Sequence, residues 1–332
     1  YDLIVNLGPQ SDTENSSVVY IKRTQDVMIV LDRSGSMTTA NKIQAARNAG
    51  NLFVNELAGD DQAGYVAFDT DADLQVALGQ LNAGGHRQDL ENAIAAEVPL
   101  NWTSIGDGMM TAATEEDVHG NSANLCSFVL LSDGYENEPA MWADVQAAVV
   151  DNGCAIHSIA LGPQANEPLM QQIAAAVPGG SYDYADQSGS VPILSPTAGD
   201  TTTAGTLGWE NNLGRVYDNK AALVAGRDRM PWQLVRDDTG KPAYYQFYVD
   251  ETSTELVLSV SWQKPTDNFA YDLIGPDGSL VTPDEDQKSS YWTNFVLRVY
   301  DPKPGYWKLY VMGIDQEYYV STTADSQFDM YL

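Results

Sequence analysis

The apolar positions in the first two thirds of the chain alternate between two periods. Residues 26–32, Asp-Val-Met-Ile-Val-Leu-Asp, form a continuous apolar run closed by a carboxylate. That is the pattern of a strand buried on both faces of a parallel sheet. Residues 41–57 follow with Ile43, Ala46, Ala49 or Gly50, Phe53 and Leu57 on one helical face. The same alternation predicts strands over 63–68, 127–132 and 155–161, and helices over 89–98, 104–118, 141–150 and 169–177. This order specifies a doubly wound α/β domain with a mostly parallel sheet and right-handed crossovers. Between 181 and 205 Gly, Ser, Thr, Asp and Pro dominate, which reads as a loop. Residues 210–225, with Leu213, Val216, Ala221 and Val224 in helical register, predict the last helix of this domain.

After Met230 the period becomes two. Strands are predicted over 244–249, 255–262, 270–274, 294–300, 306–312 and 318–322. In 255–262 Leu256, Leu258, Val260 and Trp262 face one way, Ser259 and Ser261 the other. Gly275-Pro-Asp-Gly278 is strong turn punctuation. Such spacing suggests an all-β antiparallel sandwich of about 100 residues. At the other end, residues 3–7 and 18–22 read as extended, around a turn-rich stretch over 8–17. The division expected is an N-terminal segment over 1–22, an α/β domain over 23–227 and a sandwich over 228–332.

Composition narrows the partners. The 332 residues hold 46 Asp and Glu against 17 Lys and Arg, a formal net charge of -29. Such a field repels nucleic acid and anionic membranes and concentrates cations, although solubility in a salty or extracellular medium explains it as well. The carboxylates are scattered, so no acidic tail is implied. No run of about 18 apolar residues exists to span a membrane. The chain opens on Tyr1-Asp2-Leu3, as a mature product or excised fragment would.

Three loops carry the candidate chemistry. Asp32-Arg33-Ser34-Gly35-Ser36 follows the first buried strand, Asp133 follows another in Leu130-Leu131-Ser132-Asp133-Gly134, and Thr103 lies in the loop that opens a helix. In an α/β sheet all three fall beyond the carboxyl ends of the strands, where ligands bind. Hydroxyls and carboxylates are hard oxygen donors suited to Mg²⁺ or Ca²⁺, and also to Mn²⁺. The same residues also cap helices and turns without any metal.

Asp-x-Ser-x-Ser, a later loop Thr and a second strand ending in Asp-Gly resemble the metal-ion-dependent adhesion site of von Willebrand factor A domains. The resemblance covers roughly residues 24–226 and implies a metal site of Asp32, Ser34, Ser36, Thr103 and Asp133. In that family the two Asp often act through water, and an open metal position takes an acidic side chain of a partner. Phe68-Asp69 resembles a segment that supports the metal loops. Integrin-like relatives carry acidic residues after the motif for a second metal; Met37-Thr38-Thr39-Ala40 stand here, so no second site is expected. Asp71 and Asp73 mimic a calcium-loop spacing without its Gly and distal Glu, and read as solvated loop residues.

The whole chain resembles the core of the calcium-activated chloride channel regulator family and its bacterial relatives. The motifs are Leu31 to Met37, Gly64 to Asp69, Thr103-Ser104-Ile105, Leu130 to Gly134 and Ala155 to Gly162, with weaker matches at Leu258 to Trp262, Ile274 to Gly278 and Pro304 to Trp307. The resemblance implies a secreted or cell-surface module, part of a larger protein, that binds a protein or glycan ligand through an acidic group. The alternatives are a metal-stabilised structural domain or a non-catalytic subunit of a secreted enzyme. In the A-domain topology the strands after Cys126 and Cys154 are parallel neighbours with both cysteines at the starting end, so a disulfide is expected. The two ends of an A domain lie close together, so residues 1–22 are expected to pack on the sandwich.

Catalysis finds no support in the motifs. His86, His119 and His157 lack Cys, Glu or Asp at zinc-ligand spacing, and the His-Glu-x-x-His protease segment of some relatives is missing. Neither a Gly-x-Ser-x-Gly elbow nor a Gly-rich phosphate loop occurs.

Overall fold

The computed structural model describes residues 3–7, 10–14, 23–185, 190–194, 201–206, 209–229, 233–236, 243–262, 264–314 and 316–325. β1 (Leu3–Leu7) and β2 (Gln10–Glu14) pair with each other antiparallel. β2 falls in the stretch read as a turn, and the extended segment expected over 18–22 lies outside the described residues.

β3 (Gln25–Asp32), β4 (Gln62–Phe68), β5 (Ala72–Gln80), β6 (Leu125–Ser132), β7 (Ala155–Leu161) and β8 (Ser181–Ala185) make a six-stranded sheet in the order β5-β4-β3-β6-β7-β8. All neighbours are parallel except β5, which runs antiparallel to β4. The helices are α1 (Lys42–Glu56), α2 (His86–Ala96), α3 (Ile105–His119), α4 (Trp142–Asn152), α5 (Glu167–Ala174) and α6 (Trp209–Val224). Odd-numbered residues of the central strand, Val27, Ile29 and Leu31, pack with α1, α2 and α6. Even-numbered Met28 and Val30 pack with α3, α4 and α5. Burial on both faces is why the strand is apolar throughout.

The two edge strands, β5 and β8, differ from the expected loops at 71–73 and 181–185. Each buries a single residue, Leu78 or Ala185, so neither shows the apolar run that betrays an inner strand. Asp73 lies in β5 rather than in a loop; its side chain is solvated, as expected, and pairs with Arg33 at 2.5 Å. Cys126 and Cys154 form the expected disulfide, with Cα atoms 4.8 Å apart. They lie one residue before the matched pair Ser127 and Ala155 of β6 and β7, hence level with each other.

The second unit contains β9 (Ser190–Leu194), β10 (Thr201–Thr206), β11 (Asp228–Arg229), β12 (Gln233–Arg236), β13 (Ala243–Val249), β14 (Glu255–Trp262), β15 (Ala270–Ile274), β16 (Glu285–Lys288), β17 (Asn294–Tyr300), β18 (Gly305–Met312) and β19 (Glu317–Ala324). The larger sheet runs β10-β9-β12-β19-β14-β17-β16, with β11 also on β19; the smaller runs β13-β18-β15. β9 and β10 lie in the stretch expected to be a loop, and they join this sheet before the chain returns as α6. Between the sheets, Leu256, Leu258, Val260 and Trp262 of β14 meet Phe247, Leu273, Trp307 and Leu309.

The opposite face of β14, with Ser259 and Ser261, is buried too, because α1 and α6 of the first domain lie against the larger sheet. The contact is polar. Arg298 of β17 pairs with Glu255 and donates through Nη2 to the Glu56 carbonyl at the end of α1, at 2.8 Å. Arg227 reaches the same carbonyl at 3.1 Å, satisfying an orphan acceptor of the helix terminus. Asn55 donates to Asn294 at 3.2 Å, and Ser290 to Glu91 at 2.8 Å. Burial, and then the Asp218 charge, push the Glu56 carboxyl well above its ordinary range.

Residues 228–332 alone would lack β9 and β10 and would expose the Arg298 face that α1 and α6 cover. We expect that fragment to aggregate or populate unfolded chain, whereas residues 23–332 stay monomeric. Size-exclusion chromatography with a two-dimensional amide spectrum checks this; a dispersed spectrum from a monomeric fragment contradicts it.

Candidate functional site

The sheet aligns the site before any side chain does. β3 and β6 pair with Leu31 opposite Leu131, so Asp32 ends one strand level with Ser132, and Asp133 follows directly. Backbone bonds then lace three loops together. Gly35 N–H donates to the Asn101 carbonyl at 3.1 Å, and Leu100 N–H to the Arg33 carbonyl at 2.7 Å. Thr103 N–H donates to the Asn137 side-chain Oδ1 at 2.8 Å, and Asn137 N–H donates to the Thr103 carbonyl at 3.0 Å. Phe68-Asp69 supports both loops: the Phe68 carbonyl accepts from Arg33 N–H at 2.9 Å and the Asp69 carbonyl from Ser104 N–H at 2.8 Å.

All five sequence-derived residues meet at this point. Asp32 and Asp133 are fully buried, and Ser34 and Thr103 nearly so. Asp32 accepts from Ser34 N–H at 2.7 Å on Oδ1 and from the Ser132 hydroxyl at 2.6 Å on Oδ2. Ser34 and Ser36 hydroxyls lie 2.9 Å apart, and Ser36 donates to Asp133 Oδ1 at 2.5 Å. Gly134 closes the ring: a Cβ there would stand 3.6 Å from Ser36 Oγ and 3.8 Å from Thr103 Oγ1. Both are ordinary van der Waals distances, so the two hydroxyls lie beside the same backbone position.

Two residues escaped the sequence reading. Lys42, at the first position of α1, is buried and places Nζ 2.6 Å from Asp133 Oδ2. A cation at a helix N-terminus opposes the helix dipole, so Lys42 beside Ile43 was a legible sign that a carboxylate waits nearby. Ser132 is the other, hidden as one more residue of a strand. Next along the chain, Trp102 precedes Thr103 and Tyr135 follows Gly134, and they remain 57% and 62% exposed.

Electrostatics set the chemistry. Burial, and then the nearby Asp133 charge, raise the Asp32 carboxyl from 3.8 to about 6, against the pull of the Ser132 and Ser34 bonds. Two ionised carboxylates and one ammonium leave the cluster one negative charge, away from water. Three hydroxyls and two carboxylates, all oxygen, match the donor set of a hard divalent cation, and such a cation would turn the net charge to plus one. His157 lies elsewhere, buried in β7, and burial and then the Lys220 charge lower its pKa to about 4.

Residues 26–192 match the family model of the von Willebrand factor type A domain. The chain is 33% identical over 164 residues to human calcium-activated chloride channel regulator 1, covering 48% of this chain and 17% of that protein. It is 28% identical over 289 residues to mouse calcium-activated chloride channel regulator 3A-1, covering 78% of this chain and 31% of that protein. The chain thus spans less than a third of the length of either relative. Among solved structures, a von Willebrand factor type A protein from Catenulispora acidiphila superposes with a TM-score of 0.48 at 13% identity, over 88% of this chain and 58% of that one. With the family model spanning half of its length, the chain belongs to the von Willebrand factor type A domain family.

Proposed function

We propose that this protein is a binding module whose A domain holds Mg²⁺ or Ca²⁺, or alternatively Mn²⁺, and uses it to bind an acidic group of a protein or glycan partner. The observation that supports this most is the buried meeting of Asp32 and Asp133 with three hydroxyls and a single ammonium. Like charges placed together out of water are costly unless a cation joins them. Ser34, Ser36 and Thr103 would hold the cation as neutral donors, with Asp32 and Asp133 supplying charge directly or through water. A bound divalent cation supplies a Lewis-acidic position facing solvent. Trp102 and Tyr135, next along the chain to Thr103 and Gly134, offer ring surface to the partner, the residue types that carry most interface energy. In this reading the chain's own residues position and neutralise the cation. The disulfide agrees with work outside the cytosol, at the cell surface or in secretion.

Asp133→Asn should abolish Mg²⁺ binding in isothermal calorimetry, because it removes one of two charges at nearly constant volume and leaves one acceptor oxygen where Ser36 and Lys42 now bond to two. Undiminished heat of binding in that variant would place the cation elsewhere.

Lys42→Met leaves Asp133 buried without its ammonium, and the loss of one partner of such a pair typically costs about 3–5 kcal/mol. Urea unfolding in EDTA should reveal that loss, and Mg²⁺ should recover part of it. Equal loss with and without Mg²⁺ would contradict a shared site.

The pH dependence follows from Asp32. Its pKa rises on folding from 3.8 to about 6, so without a cation its contribution to stability is present below about 3.8 and is lost as pH rises through about 6. A cation requires the ionised form, so its binding weakens as pH falls through the same value. The rise in Tm on adding Mg²⁺ should therefore be larger at about pH 7.5 than at about pH 5. A Tm increment independent of pH would refute the assignment of Asp32 to the cation.

A further inference from the structure

The smaller sheet of the sandwich has an outer face with an ordered pattern that the A-domain site does not use. Along β13 and β18 alternate residues point into the core, where Tyr245, Phe247, Trp307 and Leu309 are buried. Tyr244, Tyr248 and Tyr306 point outward and remain 53%, 52% and 63% exposed. Strand register makes pairs of them: Tyr244 lies opposite Tyr310, Gln246 opposite Lys308, and Tyr248 opposite Tyr306. Ring centroids are 5.6 Å apart in the first pair and 5.2 Å in the last, the latter inclined at 69°. Lys308 Nζ stands 5.7 Å from the Tyr244 ring centroid. Two ring pairs are thus separated by four residues of strand, about 13 Å, with an amide and an ammonium midway. Beyond the Tyr248 pair a depression of about 660 Å³ continues the strip, lined by Tyr248, Asp250, Glu251, Thr252, Pro304 and Gly305.

We infer that this strip binds a linear, uncharged, β-linked polysaccharide. An equatorially linked sugar chain offers ring-sized C–H faces at regular intervals and a rim of hydroxyls between them. Tyrosine rings meet the first, and Gln246, Lys308 and the carboxylates of the depression meet the second. The ring–polar–ring order along the strands fits a ligand in which ring faces and hydroxyls alternate. Charge selects among glycans: Asp272 shares this face with Lys308, Asp250 and Glu251 line the depression, and the chain as a whole carries -29, so polyanionic chains are repelled. A protein partner fits less well. Gln246 and Lys308 divide the rings, so among the described residues this face offers no contiguous apolar centre from which an interface core would exclude water.

The test uses the intact chain in EDTA, with cellohexaose, chitohexaose and laminarihexaose as calorimetric probes and microcrystalline cellulose and chitin beads as retained phases. Binding of at least one probe is expected despite chelation. Tyr248→Ala and Tyr306→Ala should each weaken it about ten-fold or more with unchanged Tm, while Asp133→Asn leaves it intact. Gln246→Ala keeps every ring and should weaken binding several-fold, which preserves the test should an Ala variant melt early. No binding to any probe overturns the inference. So does binding that survives the Tyr248→Ala, Tyr306→Ala double variant. Self-association of the wild type, lost in that double variant by analytical ultracentrifugation, would overturn it by making a second copy the occupant.

Discussion

Two buried carboxylates at the ends of adjacent strands organise this molecule. Asp32 ends one strand and Asp133 directly follows the end of its neighbour, both fully out of water. Each needs its charge answered where solvent cannot answer it. Ser132, the Ser34 amide, Ser36 and Lys42 are the reply the chain makes from within. They explain why β6 ends in a serine, why the loop after β3 turns back on its own amides, and why a lysine opens α1. One lysine against two carboxylates leaves the balance incomplete, and that shortfall is the physical ground on which a cation is proposed here.

Helix α1 extends the same logic across the protein. Its first residue, Lys42, is bonded to Asp133, and the carbonyl of its last, Glu56, is held by Arg227 and by Arg298 of the sandwich. One rigid element therefore touches both the site and the second unit. Buried ion pairs such as Arg298 with Glu255 are poor sources of net stability, because desolvation offsets most of the attraction. What they do provide is register. An apolar interface tolerates sliding, whereas Arg298, Asn55 and Ser290 find their partners in one arrangement only.

Much of this was legible in the sequence. The inner strands announce themselves because burial on both faces demands an uninterrupted apolar run, and the loops after them carry the oxygen donors in readable order. β14 declared its core face through Leu256, Leu258, Val260 and Trp262. β5 and β8 were hidden because an edge strand buries almost nothing, so nothing restrains its composition. β9 and β10 were hidden for a related reason: their short, turn-rich segments are strands only by virtue of the sheet that receives them.

The sequence by itself determined the α/β class, the antiparallel second unit, the five converging oxygen-bearing residues and the cysteine pair, since each follows from local pattern or from strands that must neighbour one another. Tertiary structure decided the rest. Serines 259 and 261 look solvent-facing in an alternating strand, yet they are buried under α1 and α6. Lys42 stands against the dipole at the start of α1, but only the fold names its counter-charge, Asp133, 91 positions away. The reason is the same in both cases. Period along the chain reports which side of an element a residue occupies, but only the packed neighbours determine whether that side meets water, a carboxylate or another domain.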